Sequence, residues 1–175
     1  MVEMKFEGKT YRRYNGNWID SDYVIAPLVV QEALDKRYAN SLSLEHYSVK
    51  DLVALADDFK NNESYLLAEK YYREALSRPS IESNDRKYIY PRLTSCLRLL
   101  DRSSEVVDIY LEISGKYGRS ILTDGLLTSV AAAYCDLKQY DEARKRADQA
   151  YAIVNGKASP ELISVYARIR KHTEK

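Results

Sequence analysis

Val130-Ala131-Ala132-Ala133-Tyr134, followed after a polar break by Lys138-Gln139-Tyr140-Asp141-Glu142-Ala143, is the stretch on which the reading of the fold turns. Extended in both directions, it places Leu127, Val130, Ala131 and Tyr134, then Ala143, Ala147 and Ala150, at the offsets of residues that share one face of an α-helix. Small residues where two helices cross let the backbones approach, while Tyr and Leu fill the grooves beside them. The expectation is a pair of packed helices opening near Asp124.

The pattern occurs twice more upstream. From Val49 to Glu82, Leu52, Leu55, Ala56 and Phe59 precede Ala68, Tyr72 and Ala75, across the polar stretch Lys60-Asn61-Asn62-Glu63-Ser64. From Lys87 to Ser120, Tyr90, Leu93, Thr94 and Leu97 precede Val106, Tyr110 and Ile113, across Asp101-Arg102-Ser103-Ser104. This middle copy departs from the others, since Val106 and Ile113 stand where small residues are expected.

Such a series resembles the tetratricopeptide repeat, a 34-residue helix-turn-helix unit, over about residues 49–173. The resemblance implies a mainly α fold: a right-handed superhelix of three hairpins, residues 49–82, 87–120 and 124–157, and a capping helix over 160–173. Equivalent positions lie 38 residues apart (Ala68 to Val106) and then 37 (Val106 to Ala143), so each junction carries a surplus. That surplus is expected in Arg78-Pro79-Ser80 to Asp85 and in Ser114-Gly115 to Asp124.

At the far end, Asn155-Gly156 stops one helix and Ser159-Pro160-Glu161 opens another, with Ser as N-cap and Pro at the first helical position. Leu162, Val165, Tyr166 and Ile169 form its inner face; Arg168, Arg170, Lys171 and Lys175 lie around or beyond it. Ile163 falls off that face and is the residue that suggests pairing with a second copy.

Residues 1–26 have a different character. Met4-Lys5-Phe6 and Lys9-Thr10-Tyr11-Arg12-Arg13-Tyr14 flank Glu7-Gly8, and Asn15-Gly16 joins the second run to Asn17-Trp18-Ile19-Asp20. Asn-Gly is the strongest short hairpin signal, because a type I′ turn needs positive φ at both central residues. It sets Tyr14 opposite Asn17, Arg13 opposite Trp18, Arg12 opposite Ile19 and Tyr11 opposite Asp20, with Tyr11, Arg13 and Trp18 on one face. So small a β-meander must dock. One reading docks it on the first helices as a cap; another leaves Tyr11, Arg12, Arg13, Tyr14 and Trp18 as an exposed aromatic and basic surface able to stack on single-stranded bases. Residues 27–48 hold a short helix, from Pro27 to about Asn40, and a linker; the helical domain is expected over 49–175.

Composition narrows the function classes. With 27 basic and 26 acidic side chains, no global field steers the chain toward nucleic acid or an anionic membrane. The charged start, Met1 to Lys9, does not read as a signal peptide, and no apolar run reaches the roughly 18–20 residues that span a bilayer. Cys96 and Cys135 sit among helical apolar residues, as reduced thiols of a cytosolic protein do. Sixteen tyrosines suit positions between helices that keep one end wet.

No chemistry-bearing constellation emerges. His46 and His172 lack neighbours at metal-ligand spacing, there is no phosphate loop or nucleophile elbow, and adjacent Asp57 and Asp58 read as a solvated edge. The expectation is no catalytic activity, no metal and no cofactor.

In the tetratricopeptide family the first helices line a concave groove that takes a peptide or helix. By resemblance that selects Lys50, Val53, Asp57 and Lys60; then Tyr88, Pro91, Ser95 and Arg98; then Gly125, Thr128, Ala132 and Cys135. Val53 and Asp57 replace the lysine and asparagine of family members that clamp a terminal carboxylate, so that specificity is not expected. A protein or peptide partner is the leading expectation. Nucleic-acid binding through the amino-terminal hairpin, supported by Arg144-Lys145-Arg146, and homo-oligomerisation are the alternatives.

Overall fold

Two left-handed turns, Glu7-Gly8 and Asn15-Gly16, fold the first residues into a meander, and apolar stripes at helical spacing build most of the remaining chain. The computed structural model describes residues 2–173. Among them are eight α-helices and one three-stranded antiparallel sheet. The chain divides into two compact units, Met1–Arg78 and Pro79–Lys175, so the first helical pair groups with the amino-terminal sheet. The boundary expected at residue 49 is not where the contacts separate.

The first unit contains β1 (Glu3–Phe6), β2 (Lys9–Tyr14), β3 (Asn17–Ile19), α1 (Leu28–Ser41), α2 (Val49–Asn61) and α3 (Tyr65–Ser77). Arg12, Arg13 and Tyr14 pair with Ile19, Trp18 and Asn17, as the Asn-Gly turn dictates. The pairing expected between Tyr11 and Asp20 is absent, because Asp20 leaves the strand: its carboxylate accepts the N–H groups of Asp22 and Val24, both at 3.0 Å. Gly16 has φ of +83°, and a Cβ there would come within 2.3 Å of the Asn62 side chain, so the hairpin tip is pressed on the end of α2.

Two layers of apolar residues result. Tyr11, Trp18, Ala26 and Leu34 form a cluster joined by Val2, Met4, Phe6, Val30 and Tyr38. Leu52, Ala56 and Phe59 of α2 and Ala68, Tyr72 and Ala75 of α3 are fully buried, and Phe59 stacks on Tyr71 with centroids 5.4 Å apart. A capping box between Ser48 and Asp51 fixes where α2 starts.

The second unit contains α4 (Ser83–Leu99), α5 (Ser103–Tyr117), α6 (Asp124–Asp136), α7 (Tyr140–Ile153) and α8 (Pro160–Thr173). α4 starts four residues before the expected Lys87, where the Asp85 carboxylate accepts the Glu82 N–H at 3.1 Å. Pro91 therefore lies inside the helix. α5 runs through Ser114-Gly115, expected as a break, and ends at Gly118, whose φ of +62° suits glycine.

Packing in this unit is uneven. α6 and α7 lie in extensive contact, with Ala131, Ala133, Ala143, Ala147 and Ala150 fully buried. α4 and α5 each pack more on α6 than on one another. Val106 and Ile113 supply the reason, since their bulk replaces the alanines that let α7 close on α6. α8 lies against α6 and α7 through Leu162, Val165 and Ile169, and Ser159 Oγ accepts the Leu162 N–H at 3.2 Å. Lys175, assigned to its outer side, is outside the described residues.

Candidate functional site

The expected groove positions fall in both units. On α2, Lys50 is exposed and Val53 and Lys60 are half-buried. Asp57 is not a free ligand: the Tyr72 hydroxyl donates to it, tying α3 to α2. Asp58 pairs with Arg13 at 3.4 Å while about half of its side chain stays exposed, so the two aspartates link elements and Asp58 also keeps the solvated edge expected of it.

On α4, Tyr88 is exposed and carries the Arg92 guanidinium 3.4 Å above its ring. Pro91 faces α6, since a Cβ on Gly125 would meet it at 3.5 Å. Ser95 is half-buried, and Arg98 Nε donates to Asp136 at 3.0 Å. On α6 the groove expectation fails for Thr128 and Ala132, and with them Cys135, all of which are buried. α6 is contacted by α4, α5, α7 and α8, and every residue from Leu126 to Cys135 is interior. A sequence signal for this exists: Gly125 to Cys135 contains no charged residue, and a helix without a polar stripe is buried all round.

Asp136, at the end of α6, accepts from Arg98, from Ser103 Oγ at 2.7 Å and from Arg168 at 2.6 Å. Burial alone would raise its pKa; the bonds from Ser103, Arg168 and Arg98 outweigh burial and hold the carboxyl below its ordinary range. Nearby, burial pushes the Cys135 thiol up, away from thiolate reactivity.

Tyr11, Arg13 and Trp18 do share a face, but it is an interior one, which corrects the ligand-surface expectation. Trp18 is fully buried, Tyr11 nearly so, and the Arg13 side chain keeps 7% of its exposure. The guanidinium sits 4.8 Å from the ring centroids of both Tyr38 and Phe59 and 5.9 Å from that of Trp18. Asp35 supplies the counter-charge at 3.2 Å, and also accepts Trp18 Nε1 at 2.8 Å and Ser64 Oγ at 2.9 Å. Gln31 brackets Trp18, accepting its N–H at 2.8 Å. Gln31 and Asp35 are four apart, on the same side of α1 as Leu34, and polar residues on an apolar face are the trace of a buried polar partner.

The other basic cluster is neutralised within α7. Arg144 pairs with Asp148 at 3.5 Å, while Lys145 and Arg146 share Glu142 at 2.5 Å and 3.1 Å. Of the two patches invoked for nucleic acid, the hairpin's Arg13 and Trp18 are withdrawn from solvent, while Arg144 and Lys145 remain exposed but paired with acids of their own helix.

An open cleft of about 540 Å³ lies in the first unit, lined by His46, Tyr47, Asp51, Ala54, Leu55 and Asp58. Asp51 is committed to the Ser48 cap, and its pKa is lowered by that hydroxyl and amide. Among the described residues no group of three or more His, Cys, Asp or Glu could hold a metal ion, and no helix is long and apolar enough to cross a membrane. His172, the second histidine, stacks on Tyr140 with centroids 4.6 Å apart. Comparison with protein-family models, curated proteins and solved structures finds no match to this chain.

Proposed function

We propose that this chain is a protein-interaction scaffold of the tetratricopeptide kind, its hairpins in a right-handed superhelix that holds a peptide or a helix and performs no catalysis. The observation that carries the reading is the likeness of α2–α3 and α6–α7. Each is a short helical pair of closely similar length with fully buried alanines at matching positions, and α8 closes the last one. Repeat units of this sort cannot bury an apolar face alone and do so by stacking, which leaves an extended surface for partners.

The contact residues that fit this function are Lys50, Val53 and Lys60 on α2 and Tyr88 and Ser95 on α4, all at least partly open to solvent. Photo-crosslinking amino acids at Val53 and Ser95, with Glu112 on α5 as control, test it in the source cell. One partner captured at both positions and not at Glu112 is the expected result; equal labelling at all three overturns it.

Pairing of two copies is a second reading, favoured by Ile163, exposed on the outer side of α8. Light scattering at two protein concentrations decides it, since an unchanged monomer mass removes this reading.

A further inference from the structure

The two edges of the amino-terminal sheet are treated differently. Along β1, α1 covers the edge: Arg37 donates to the Lys5 carbonyl at 2.9 Å and lies 5.2 Å over the Phe6 ring. Beyond β3 the chain returns as Val24–Ala26, bridged antiparallel through Ile19 and Ile25. The bonds that hold it run from Ala26 N–H to the Trp18 carbonyl at 2.8 Å and from Asp20 N–H to the Val24 carbonyl at 3.0 Å. In an antiparallel ladder the residue between two such bonds turns its own N–H and C=O away from the neighbouring strand. Ile25 therefore offers an open donor and acceptor at the sheet edge.

The side chains around it are apolar and exposed. Tyr23, Val24, Ile25, Leu28 and Val29 lie within seven consecutive residues and are each between 59% and 78% exposed. Exposed apolar side chains gathered in one short stretch are a feature of surfaces used for binding. Tyr23 adds an independent mark. It has φ of +61°, a backbone region that bulky residues avoid, and it is held there by its N–H bond to the Asp20 carbonyl and by the Asp20 carboxylate gripping Asp22 and Val24. The turn accepts backbone strain to present an aromatic ring to water.

Charge identifies the occupant. Between Trp18 and Lys36 the chain has no cation but has Asp20, Asp22, Glu32 and Asp35, of which Asp35 is consumed by Arg13. The residues that flank the patch along the chain are thus acidic, and Arg12, across β3 from Ile25, is paired with Glu3 at 2.7 Å. A second copy would bring the same acids to the same flanks, whereas an extended apolar segment flanked by lysine or arginine meets both the patch and its charge. We infer that this edge is a docking site for a short extended peptide with alternating apolar residues and basic flanks, which adds a strand beside Ile25. Pro27, with no N–H, ends the ladder and keeps the added strand short. The site is separate from the helical positions assigned to the scaffold function and does not depend on them.

The test uses the full chain and two blocked heptapeptides, Lys-Val-Thr-Val-Thr-Val-Lys and its counterpart with glutamate at both ends. Saturating lysine-ended peptide is expected to slow amide hydrogen exchange at Ile25 by about tenfold or more, as an edge amide becomes hydrogen-bonded. Ile25→Pro removes the outward donor and leaves the Ala26 and Val24 bonds, so it is expected to abolish binding while the fluorescence of buried Trp18 stays as in the wild type. Tyr23→Gly relieves the backbone and removes the ring, and is expected to weaken binding about fivefold without loss of thermal stability. Unprotected Ile25 at millimolar peptide overturns the proposal, as does equal binding of the glutamate-ended peptide. Sedimentation showing a dimer that Ile25→Pro dissociates would assign the edge to a second copy and overturn it too.

Discussion

Each unit of the molecule is tied together at one aspartate, and the two aspartates work under opposite conditions. Asp35 gathers β2, β3 and the start of α3 through Arg13, Trp18 and Ser64, with 2% of its side chain exposed. Asp136 gathers α4, α5 and α8 through Arg98, Ser103 and Arg168, with 30% exposed. The chemistry is the same, a carboxylate with three donors. Burial changes its consequence. A dry ion pair must recover a large desolvation cost and is tolerated only when every lone pair is satisfied, whereas a wet one adds little per bond and costs little to lose.

Substitution at the two centres is the direct way to break this comparison. Asp35→Ala leaves the buried Arg13 guanidinium with only the half-exposed Asp58 as counter-charge and strips Trp18 Nε1 of its acceptor, and is expected to destabilise the first unit by about 3–5 kcal/mol. Urea denaturation followed by Trp18 fluorescence measures it. If Asp136→Ala costs as much, the contrast between dry and wet centres is void.

Gly16→Ala comes next. It puts a Cβ against Asn62 at a φ of +83°, with an expected cost of about 1–2 kcal/mol in the same unit. Asp136→Ala should cost only about 1 kcal/mol, read from thermal unfolding by circular dichroism. Its pH dependence sharpens the point. The folded-state pKa of Asp136 is lowered, so its contribution is present above the unfolded value of 3.8 and is lost as pH falls through the folded one. Wild type and Asp136→Ala should therefore differ at pH 5 and converge as pH drops below 3.8, and a gap that widens in acid contradicts the assignment. The smallest effect belongs to Lys145→Ala, an exposed pair within α7, at no more than about 0.5 kcal/mol.

These centres also show which parts of the fold can be read from sequence. Helical offsets locate α2, α3, α6 and α7, Ser159-Pro160 locates α8, and Asn15-Gly16 sets the β2–β3 register, because each signal lies within a few residues of what it specifies. The same register puts Arg13 on the correct sheet face with Tyr11 and Trp18. Its charge argues for water, because the acids that neutralise it lie 22 and 45 residues further along. The groove assignment fails on α6 for a related reason. A repeat pattern defines the faces of a helix, but Thr128 and Ala132 become interior through the helices packed around α6. The loose contact of α4 with α5 leaves a single trace in the sequence, Val106 and Ile113 in the place of alanines.

The buried guanidinium also bears on how the protein is made. Arg13 leaves the ribosome 45 residues before Asp58, and translation at roughly 5–20 residues per second makes that an interval of several seconds. A leucine in its place would pass those seconds as a naked apolar strand residue open to aggregation. Arginine passes them hydrated, and is withdrawn from water only once α1 and α2 have been synthesised to receive it.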